Sequence, residues 1–238
     1  MKKLKFIAVI AAFMSVIGLS SCMSDTESQY DLMDYMTVSE DLMGRVCLVG
    51  DYTGLTFYPA NSSIMSALQM NDASYYKRAY AGVKLAEEYS GTKKNYTISN
   101  LYVASDIPYM DFNLRHDTLK GDYGFNALNK IWAKTGYVNV DFNVNVESGN
   151  IASFYDDIHM YVRKVSNDTL YTKLRYEKSA AFGQNYTIFV SFGLPKQAWE
   201  YSQLVPKNDS IYINVEAKSN AGNSYQLSTR YKYSELPY

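Results

Sequence analysis

Residues 138–146 carry the pattern that most constrains the fold of this chain. Apolar and polar side chains alternate there without a break, as Val138, Val140, Phe142, Val144 and Val146 against Asn139, Asp141, Asn143 and Asn145. Because successive side chains of a strand point to opposite faces, this pattern predicts a half-buried antiparallel strand. One face of the strand is expected to be dry and the other wet.

The sequence around this strand predicts a β-sandwich over residues 121–238. Turn residues such as Gly149-Asn150 and Ala221-Gly222-Asn223 separate apolar runs of strand length. Phe125–Lys134 fits either a helical turn or an edge strand, and Pro195–Leu204 fits a short helix that crosses between sheets. Six or seven antiparallel strands in this length are typical of a sandwich. Besides 138–146, the strand candidates are Ile158–Val165, Thr169–Tyr176, Tyr186–Phe192, Ile211–Ala217 and Tyr225–Tyr233.

Residues 42–116 predict a second, smaller β-domain. Arg45–Val49 and Leu55–Tyr58 flank the turn residues 50–54 and read as a hairpin. A short helix over Ile64–Gln69 and strands over Val83–Tyr89 and Tyr96–Ala104 follow. About five short strands favour a small Greek-key barrel of the OB type. Ile107–Lys120 is expected to cross between the domains without regular structure.

The overall expectation is therefore an all-β fold, a small OB-like barrel followed by an antiparallel β-sandwich. The 24 tyrosines, against 10 phenylalanines and 2 tryptophans, agree with a chain rich in strands.

The first 22 residues predict where the protein works. The positive residues Lys2, Lys3 and Lys5 precede the apolar run Phe6–Leu19, and Ser20-Ser21-Cys22 follows. The tetrad Leu19-Ser20-Ser21-Cys22 resembles the bacterial lipobox, which implies a signal peptide at 1–21, lipidation of Cys22 and attachment to a membrane. An uncleaved transmembrane helix is the alternative, but the apolar run is shorter than the ~20 residues that span a bilayer. Residues 22–41 are then expected to form a tether.

The residues after Cys22 bear on localisation. An aspartate at position 23, which commonly marks inner-membrane retention, is replaced by Met23, so the outer membrane is expected. The segment Ser24-Asp25-Thr26-Glu27 weakly resembles a surface-export signal, and a solvated linker explains it equally well. The periplasmic and cell-surface sides both stay open.

The charge of the mature chain argues against nucleic acid as a partner. Removing residues 1–21 takes away three of the 23 basic residues and leaves 20 against 24 acidic residues, a net charge near −4. A nucleic-acid-binding domain would carry a basic patch or stripe instead.

No catalytic or metal-binding motif emerges from the sequence. Cys47 lies in an apolar run and is expected to be a buried small hydrophobe. His116 and His159 stand alone, whereas metal sites need clustered ligands. The adjacent pairs Glu87-Glu88 and Asp156-Asp157 would face opposite ways on a strand and are expected to be surface charges. We expect no catalytic residues, no metal and no cofactor.

Two kinds of surface chemistry remain open. Tyrosines on predicted strands could stack on sugars, although cross-strand packing is the favoured interpretation; they are Tyr161, Tyr171, Tyr176, Tyr212, Tyr225, Tyr231 and Tyr233. Three Asp-Ser/Thr-apolar triplets resemble an O-glycosylation sequon and place candidate sites at Thr118, Thr169 and Ser210. Asx or ST turns that lead into strands explain the same triplets.

The order of these parts resembles the NigD-like lipoproteins of Bacteroidetes. A lipobox is followed by the hairpin sequence 50–61 (GDYTGLTFYPAN), a small barrel, and a sandwich that opens with 137–142 (YVNVDF). The resemblance implies an OB-like domain followed by a sandwich, with no assigned enzymatic activity.

The sequence thus predicts a non-catalytic outer-membrane lipoprotein that binds or scaffolds an envelope protein or a glycan. The alternatives are an uncharacterised envelope hydrolase that acts on glycans and a purely structural assembly factor. An exposed aromatic row on one sheet face would favour the binding module.

Overall fold

The computed structural model describes residues 28–68, 78–112, 121–147, 154–178, 183–195 and 199–236. The expected signal peptide and Cys22, and also His116 and Thr118, lie outside the described residues. Within the described ranges, no helix has the length and apolar character needed to cross a membrane.

The first five strands form a closed barrel with the strand order β1-β2-β3-β5-β4. Its strands are β1 (Leu32–Glu40), β2 (Val46–Gly50), β3 (Thr56–Pro59), β4 (Arg78–Leu85) and β5 (Asn95–Asp106). β1 pairs with both β2 and β4 and so closes the barrel, while β3 and β5 pair in parallel. A 3-10 helix at Ser62–Leu68 packs over the barrel, close to the expected short helix. The five-stranded order confirms the OB-like prediction.

The barrel begins earlier than the sequence indicated. Residues 32–40, assigned to the tether, form β1. This segment lacks a regular alternation of apolar and polar residues, because its buried positions include the polar Asp34 and Thr37 as well as Met36, which fills the barrel core. The strand β6 (Tyr109–Asp111) is a second correction, since it lies in the segment expected to lack regular structure.

The remaining strands form two four-stranded sheets. Sheet A has the order β13-β12-β10-β9 and sheet B has the order β6-β11-β8-β7. Their strands are β7 (Ala127–Lys134), β8 (Tyr137–Val146), β9 (Ile158–Ser166), β10 (Thr169–Tyr176), β11 (Gln184–Gly193), β12 (Ser210–Lys218) and β13 (Ser224–Lys232). β7 is an edge strand, one of the two structures its sequence allowed.

The sandwich prediction is confirmed, with two differences in pairing. β10 pairs with β12 in parallel and β6 with β11 in parallel, so neither sheet is purely antiparallel. Along the chain, β11 comes between β10 and β12, but it belongs to sheet B, whereas β10 and β12 belong to sheet A. The chain therefore crosses to sheet B and back, which allows β10 and β12 to run in the same direction. The 3-10 helix Trp199–Gln203 lies on the return path, and Tyr233 belongs to a terminal 3-10 turn rather than to β13.

The predicted alternation of β8 is present in three dimensions. Its five apolar side chains are buried between the sheets, where Phe142 contacts Phe125 and Phe154. Its polar side chains point to the opposite side of sheet B. The outer face of this sheet, together with the neighbouring barrel, forms the candidate site described next.

Candidate functional site

The barrel and the sandwich meet along the outer face of β1. Tyr35, Thr37 and Ser39 are two residues apart and therefore share one face of the strand. Tyr35 packs in an aromatic cluster, Thr37 lies in a buried polar network, and Ser39 lines a pocket. The junction between the domains thus has three zones in sequence along one strand.

A buried ion pair occupies the middle zone. Arg78 opens β4 and Asp51 follows β2, and both side chains are 0% exposed. Arg78 Nη2 donates to Asp51 Oδ2 at 2.5 Å and to Asn139 Oδ1 at 3.0 Å. The guanidinium also lies over the ring of Tyr137, 4.8 Å from its centroid. A buried charge needs a charged partner and hydrogen bonds, and this arginine receives them from both domains.

Hydroxyl and amide groups extend this network across the junction, although the buried Arg78 Nε has no hydrogen-bond partner among the described residues. Arg78 Nη1 donates to Thr37 Oγ1 at 2.5 Å, and Thr37 and Thr135 are joined at 3.0 Å. Thr135 Oγ1 donates to Asp51 Oδ1 at 3.2 Å. Asn139 donates to Asp51 at 3.4 Å. We call Thr37, Asp51, Arg78, Thr135 and Asn139 the junction network.

The turn after β2 is braced by a second buried carboxylate. Asp34 accepts hydrogen bonds from the backbone N–H of Tyr52 at 3.1 Å and from the N–H and hydroxyl of Thr53, both at 2.8 Å. Burial raises the pKa of Asp34, and the hydrogen bonds from Thr53 oppose that rise. Gly50 is required beside it, because a Cβ there would lie 2.4 Å from Asp34 Oδ2. The turn therefore holds Asp51 and Tyr52 in fixed positions.

Five aromatic rings form the first zone, which we call the aromatic cluster. Trp132 stacks on Phe189 at 5.0 Å between ring centroids and on Tyr52 at 5.6 Å. Trp132 Nε1 donates to Asp51 at 3.2 Å, so the cluster is hydrogen-bonded to the junction network. Tyr52 is 55% exposed, which leaves the edge of the cluster open to solvent. Its members are Tyr35, Tyr52, Tyr80, Trp132 and Phe189.

The outer face of sheet B continues from this cluster as a row of amides. Where β11 pairs with β8, Phe189 lies opposite Asp141. Two residues further along each strand, on the same face, Thr187 lies opposite Asn143. Another two residues along, Asn185 lies opposite Asn145. Asn129 lies at the bulge of β7 beside them. We call this surface the amide face; its members are Asn126, Asn129, Asp141, Asn143, Asn145, Asn185 and Thr187.

Hydrogen bonds hold these amides in defined orientations. Asn129 Nδ2 donates to Asp141 Oδ1 and to Asn143 Oδ1, both at 3.0 Å. Asn126 Nδ2 donates to Asn145 Oδ1 at 2.7 Å and to Asn185 Oδ1 at 2.6 Å. All of these residues are half-buried or exposed. The amide face is thus a preorganised polar surface with one carboxylate, Asp141. It lies next to a partly exposed aromatic edge, where Lys130 Nζ donates to the Tyr52 hydroxyl at 2.9 Å and lies 5.1 Å from the ring centroids of Tyr52 and Trp132.

A pocket of about 440 Å³ forms the third zone. Lys134 and Glu235 face each other at its wall, with Lys134 Nζ 3.2 Å from Glu235 Oε2. Tyr231 fixes the terminal turn by donating to the carbonyl of Glu235 at 2.8 Å, and burial raises the pKa of Tyr231 to about 12. The lining residues are Thr37, Ser39, Val49, Gly54, Lys134, Thr135 and Glu235.

The sequence-predicted chemical candidates do not come together in this junction. Cys47 is a buried free thiol, as expected, and burial raises its pKa. Among the described residues, no three His, Cys, Asp or Glu side chains lie close enough to hold a metal ion. Glu87 and Glu88 are exposed, as is Asp156, whereas Asp157 is half-buried and pairs with Lys178.

The tyrosines singled out from the sequence mostly pack rather than form a platform. Tyr161, Tyr176 and Tyr231 are buried, which confirms the cross-strand packing interpretation for them. Tyr212 is exposed on sheet A. The aromatic edge that the structure presents belongs to other residues, chiefly Tyr52 and Trp132.

Two of the three candidate glycosylation sites lie in the described part of the chain. Thr169 begins β10 and is half-buried, with its hydroxyl 3.2 Å from Asp168 Oδ1. Ser210 begins β12, is half-buried, and accepts a hydrogen bond from Arg230 Nε at 2.9 Å. Both begin strands after a turn, as expected, and their glycosylation stays a prediction.

Sequence reasoning missed Asp51, Arg78 and Trp132. Asp51 falls within the expected turn 50–54, and Arg78 lies between the expected helix at 64–69 and the expected strand at 83–89, where no element was predicted. One signal was available: the wet face of β8 carries three asparagines and one aspartate, with no lysine, arginine or glutamate. Of these four residues, Asp141, Asn143 and Asn145 lie on the amide face, and Asn139 lies in the junction network.

Comparison with solved structures identifies the class of fold. A structure from Bacteroides fragilis NCTC 9343 named "Putative lipoprotein" aligns over 84% of this chain and 98% of its own, with a TM-score of 0.55 and 12% identity. A protein of unknown function, DUF1344, from Bacteroides vulgatus ATCC 8482 aligns over 84% and 90%, with a TM-score of 0.52 and 19% identity. No protein-family model and no curated protein matches the chain.

A NigD-like immunity protein from Bacteroides caccae ATCC 43185 also aligns, over 87% of this chain and 99% of its own, with a TM-score of 0.43 and 16% identity. The chain has the two-part fold that the resemblance predicted, a small barrel followed by a sandwich, and the Bacteroides fragilis and Bacteroides vulgatus structures share this fold.

Proposed function

We propose that this protein is a non-catalytic, lipid-anchored outer-membrane module that binds a glycan on the amide face of sheet B. The observation that carries the proposal is the continuity of that face with the aromatic edge, where Tyr52 from the barrel turn stacks on Trp132 of sheet B. The protein would act by retaining or presenting a saccharide at the cell envelope.

The chemistry of the surface suits a saccharide. A sugar ring offers hydroxyl groups that both donate and accept hydrogen bonds, and a side-chain amide provides two donors and an acceptor. Aromatic faces offer apolar area for the C–H surface of a sugar ring. The amides are already oriented by one another, so less conformational entropy is lost on binding.

The lipid anchor rests on separate observations. The lipobox-like tetrad ends in Cys22, and Met23 replaces the residue that would favour inner-membrane retention. The Bacteroides fragilis neighbour of similar fold carries a lipoprotein name. Two or three acyl chains give durable anchoring, because each buried methylene adds ~0.8 kcal/mol.

The arrangement of carboxylates supports the binding role over the hydrolase alternative. Glycoside hydrolysis uses two carboxyl groups that flank a bound sugar across an open cleft. Asp34 and Asp51 are both buried, and their oxygens are occupied by turn amides and by Arg78. Neither carboxylate is presented to a ligand. Asp141 is the one acidic side chain among the seven amide-face residues, whereas this chemistry uses a pair.

Affinity electrophoresis of the wild-type protein in gels that contain soluble polysaccharides tests the proposal. A panel of neutral hexose polymers and amino-sugar polymers supplies the probes. We expect at least one polymer to retard the protein, and Asn143→Ala to weaken that binding roughly 5–30-fold, since a lost hydrogen bond costs about 1–2 kcal/mol.

Asn214→Ala is the matched control for this experiment. Asn214 is an equally half-buried asparagine on the outer face of sheet A, where it donates to Ser228 at 2.9 Å. Equal weakening by both substitutions, or no retardation by any polymer, would overturn the proposal.

A further inference from the structure

The outer face of sheet A concentrates positive charge. The four strands of this sheet carry seven basic residues and one acidic residue, Glu216. The whole chain has a formal charge of −1, which conceals this asymmetry. A face of one sign raises the local concentration of ligands of the opposite sign. We call this surface the basic face; its basic members are Arg163, Lys164, Lys173, Arg175, Lys218, Arg230 and Lys232.

Strand pairing places two of these cations and two tyrosines in a line across the basic face. Arg230 of β13 is paired with Tyr212 of β12. Lys164 of β9 is paired with Tyr171 of β10. The two tyrosines lie on neighbouring strands, because Tyr212 is paired with Thr169, two residues before Tyr171. We call Arg230, Tyr212, Tyr171 and Lys164 the tyrosine stripe; its order is cation, ring, ring, cation.

The stripe runs from one edge of sheet A to the other. β13 and β9 are the two edge strands, and β12 and β10 lie between them. Neighbouring strands are about 4.8 Å apart, so the two edge strands are separated by about 14 Å. The stripe is therefore long enough for a ligand that contacts several side chains at once.

The two cations of the stripe are open to a ligand. Arg230 and Lys164 are both exposed, and neither lies within ion-pair distance of a carboxylate in the part of the chain that the structure describes. Arg230 Nε donates to Ser210 Oγ at 2.9 Å. Lys164 Nζ lies 4.8 Å from the centroid of the Tyr171 ring. These contacts orient the two cations without neutralising them.

The other five cations of the basic face are already engaged. Three of them pair with carboxylates: Arg163 with Glu216, Lys173 with Asp122 and Lys232 with Glu235. Arg175 and Lys218 donate to the backbone carbonyls of Gly121 and Asp122, both at 2.9 Å. The stripe is therefore the part of the basic face that can bind an anionic group through its cations.

We propose that the tyrosine stripe binds an acidic polysaccharide. Its carboxylate or sulfate groups would contact Arg230 and Lys164, and its sugar rings would lie on Tyr212 and Tyr171. Such a polymer matches the order of the stripe, because its charges are separated by rings whose C–H surfaces pack on aromatic faces. Arginine offers a planar fork that suits these anionic groups. Tyr212 is 46% exposed and presents the more accessible ring.

The tyrosines favour a saccharide over other acidic partners. An acidic peptide or a phospholipid surface supplies charges without rings between them, so it would leave the exposed Tyr212 unused. Single-stranded nucleic acid does supply rings between its charges. The envelope location proposed above favours the saccharide over nucleic acid, and the experiment below includes both.

Fluorescence anisotropy tests the inference. The mature chain 22–238 with Cys22→Ser is titrated into fluorescein-labelled oligogalacturonide and dextran sulfate. The double variant Lys164→Gln/Arg230→Gln removes both cations of the stripe. The matched control Lys93→Gln/Lys94→Gln removes two exposed cations from the turn before β5 in the barrel.

We expect at least one of the two polymers to bind. The stripe variant should weaken that binding about 5–30-fold, as the loss of two exposed charge contacts implies, and the control variant should stay within about twofold of wild type. Tyr212→Ala should weaken the binding at least about threefold, because the ring contact is lost while the charges remain.

Three results would each overturn the inference: binding of neither polymer, equal affinities of the two double variants, or binding of polyglutamate or oligothymidylate as tight as that of the acidic polysaccharides. The probes for the amide face carry no acidic groups. Failure here is therefore distinct from failure of the proposed function.

Discussion

Arg78 Nη2 lies 2.5 Å from Asp51 Oδ2, and both side chains are wholly buried between the barrel and the sandwich. The two residues come from the barrel, and their side chains also form hydrogen bonds with Thr135 and Asn139 of the sandwich. The ion pair therefore fixes the orientation of the two domains. It also holds Trp132, at the edge of the proposed glycan site, through its bond to Asp51.

Breaking this ion pair is expected to be costly, and replacing both partners less so. Arg78→Met or Asp51→Leu leaves the other charge buried and unpaired, which typically costs about 3–5 kcal/mol. The double substitution removes both charges, so its cost should be well below the sum. Urea unfolding of the four proteins measures the cycle, and strictly additive costs would contradict a direct coupling.

The turn after β2 predicts a sharp difference between two glycines. At Gly50 an added Cβ would meet Asp34 and Thr53 oxygens at 2.4 Å, so Gly50→Ala should destabilise the protein by about 1–3 kcal/mol. At Gly91 an added Cβ meets nothing within 4 Å, so Gly91→Ala should be neutral or stabilising by up to about 1 kcal/mol. Thermal unfolding of both variants checks this, and similar effects would argue against the tight turn.

The alternation of β8 predicts opposite outcomes at neighbouring positions. Phe142 is buried among Phe125 and Phe154, so Phe142→Ala should cost about 3–5 kcal/mol. Asn143→Ala on the amide face should change stability by no more than about 0.5 kcal/mol. Denaturant unfolding gives both values, and a large loss for Asn143→Ala would mean that its effect on binding reports folding.

The turn between β1 and β2, residues 41–45, is expected to loosen in acid. Hydrogen bonds from Arg45 and Met43, with the Arg45 charge, lower the pKa of Asp41 to about 2 from its usual 3.8. A lowered pKa means that the stabilisation is present above pH 4 and is lost as the pH falls toward 2. The protection factors of the Met43 and Arg45 amides, which correct for the pH dependence of intrinsic exchange, should therefore fall over that interval; protection that is constant from pH 4 to pH 2 would contradict the role of Asp41.

Local patterns predicted most of the strands, because period-two alternation and turn residues are properties of short segments. They specified β8 almost to the residue, as well as the barrel hairpin formed by β2 and β3. β1 was not predicted, because it is enclosed by β2, β4 and the sandwich. Burial on both of its faces removes the alternation of apolar and polar residues that would mark a strand. β6 has three residues and exists only through its pairing with β11.

The junction could not be read from the sequence for a related reason. Asp51 and Arg78 are 27 residues apart, and Asn139 is a further 61 residues along the chain. Only the closed barrel and its contact with sheet B bring them together. The amide face was partly visible, since its central strand supplies Asn143 and Asn145 in plain alternation, but Asn129 and Asn185 joined it only through strand pairing.

The central claim is that a glycan occupies the amide face, and the side-chain amide signals of its asparagines test it most directly. In ¹H–¹⁵N NMR spectra of the mature protein, titration with the polysaccharide fragment that retards it should shift the Nδ2 signals of Asn129, Asn143 and Asn185. The signal of Asn214 on sheet A should stay in place. Shifts confined to Asn214 and its neighbours, or binding without any shift of the three amide-face signals, would contradict the account.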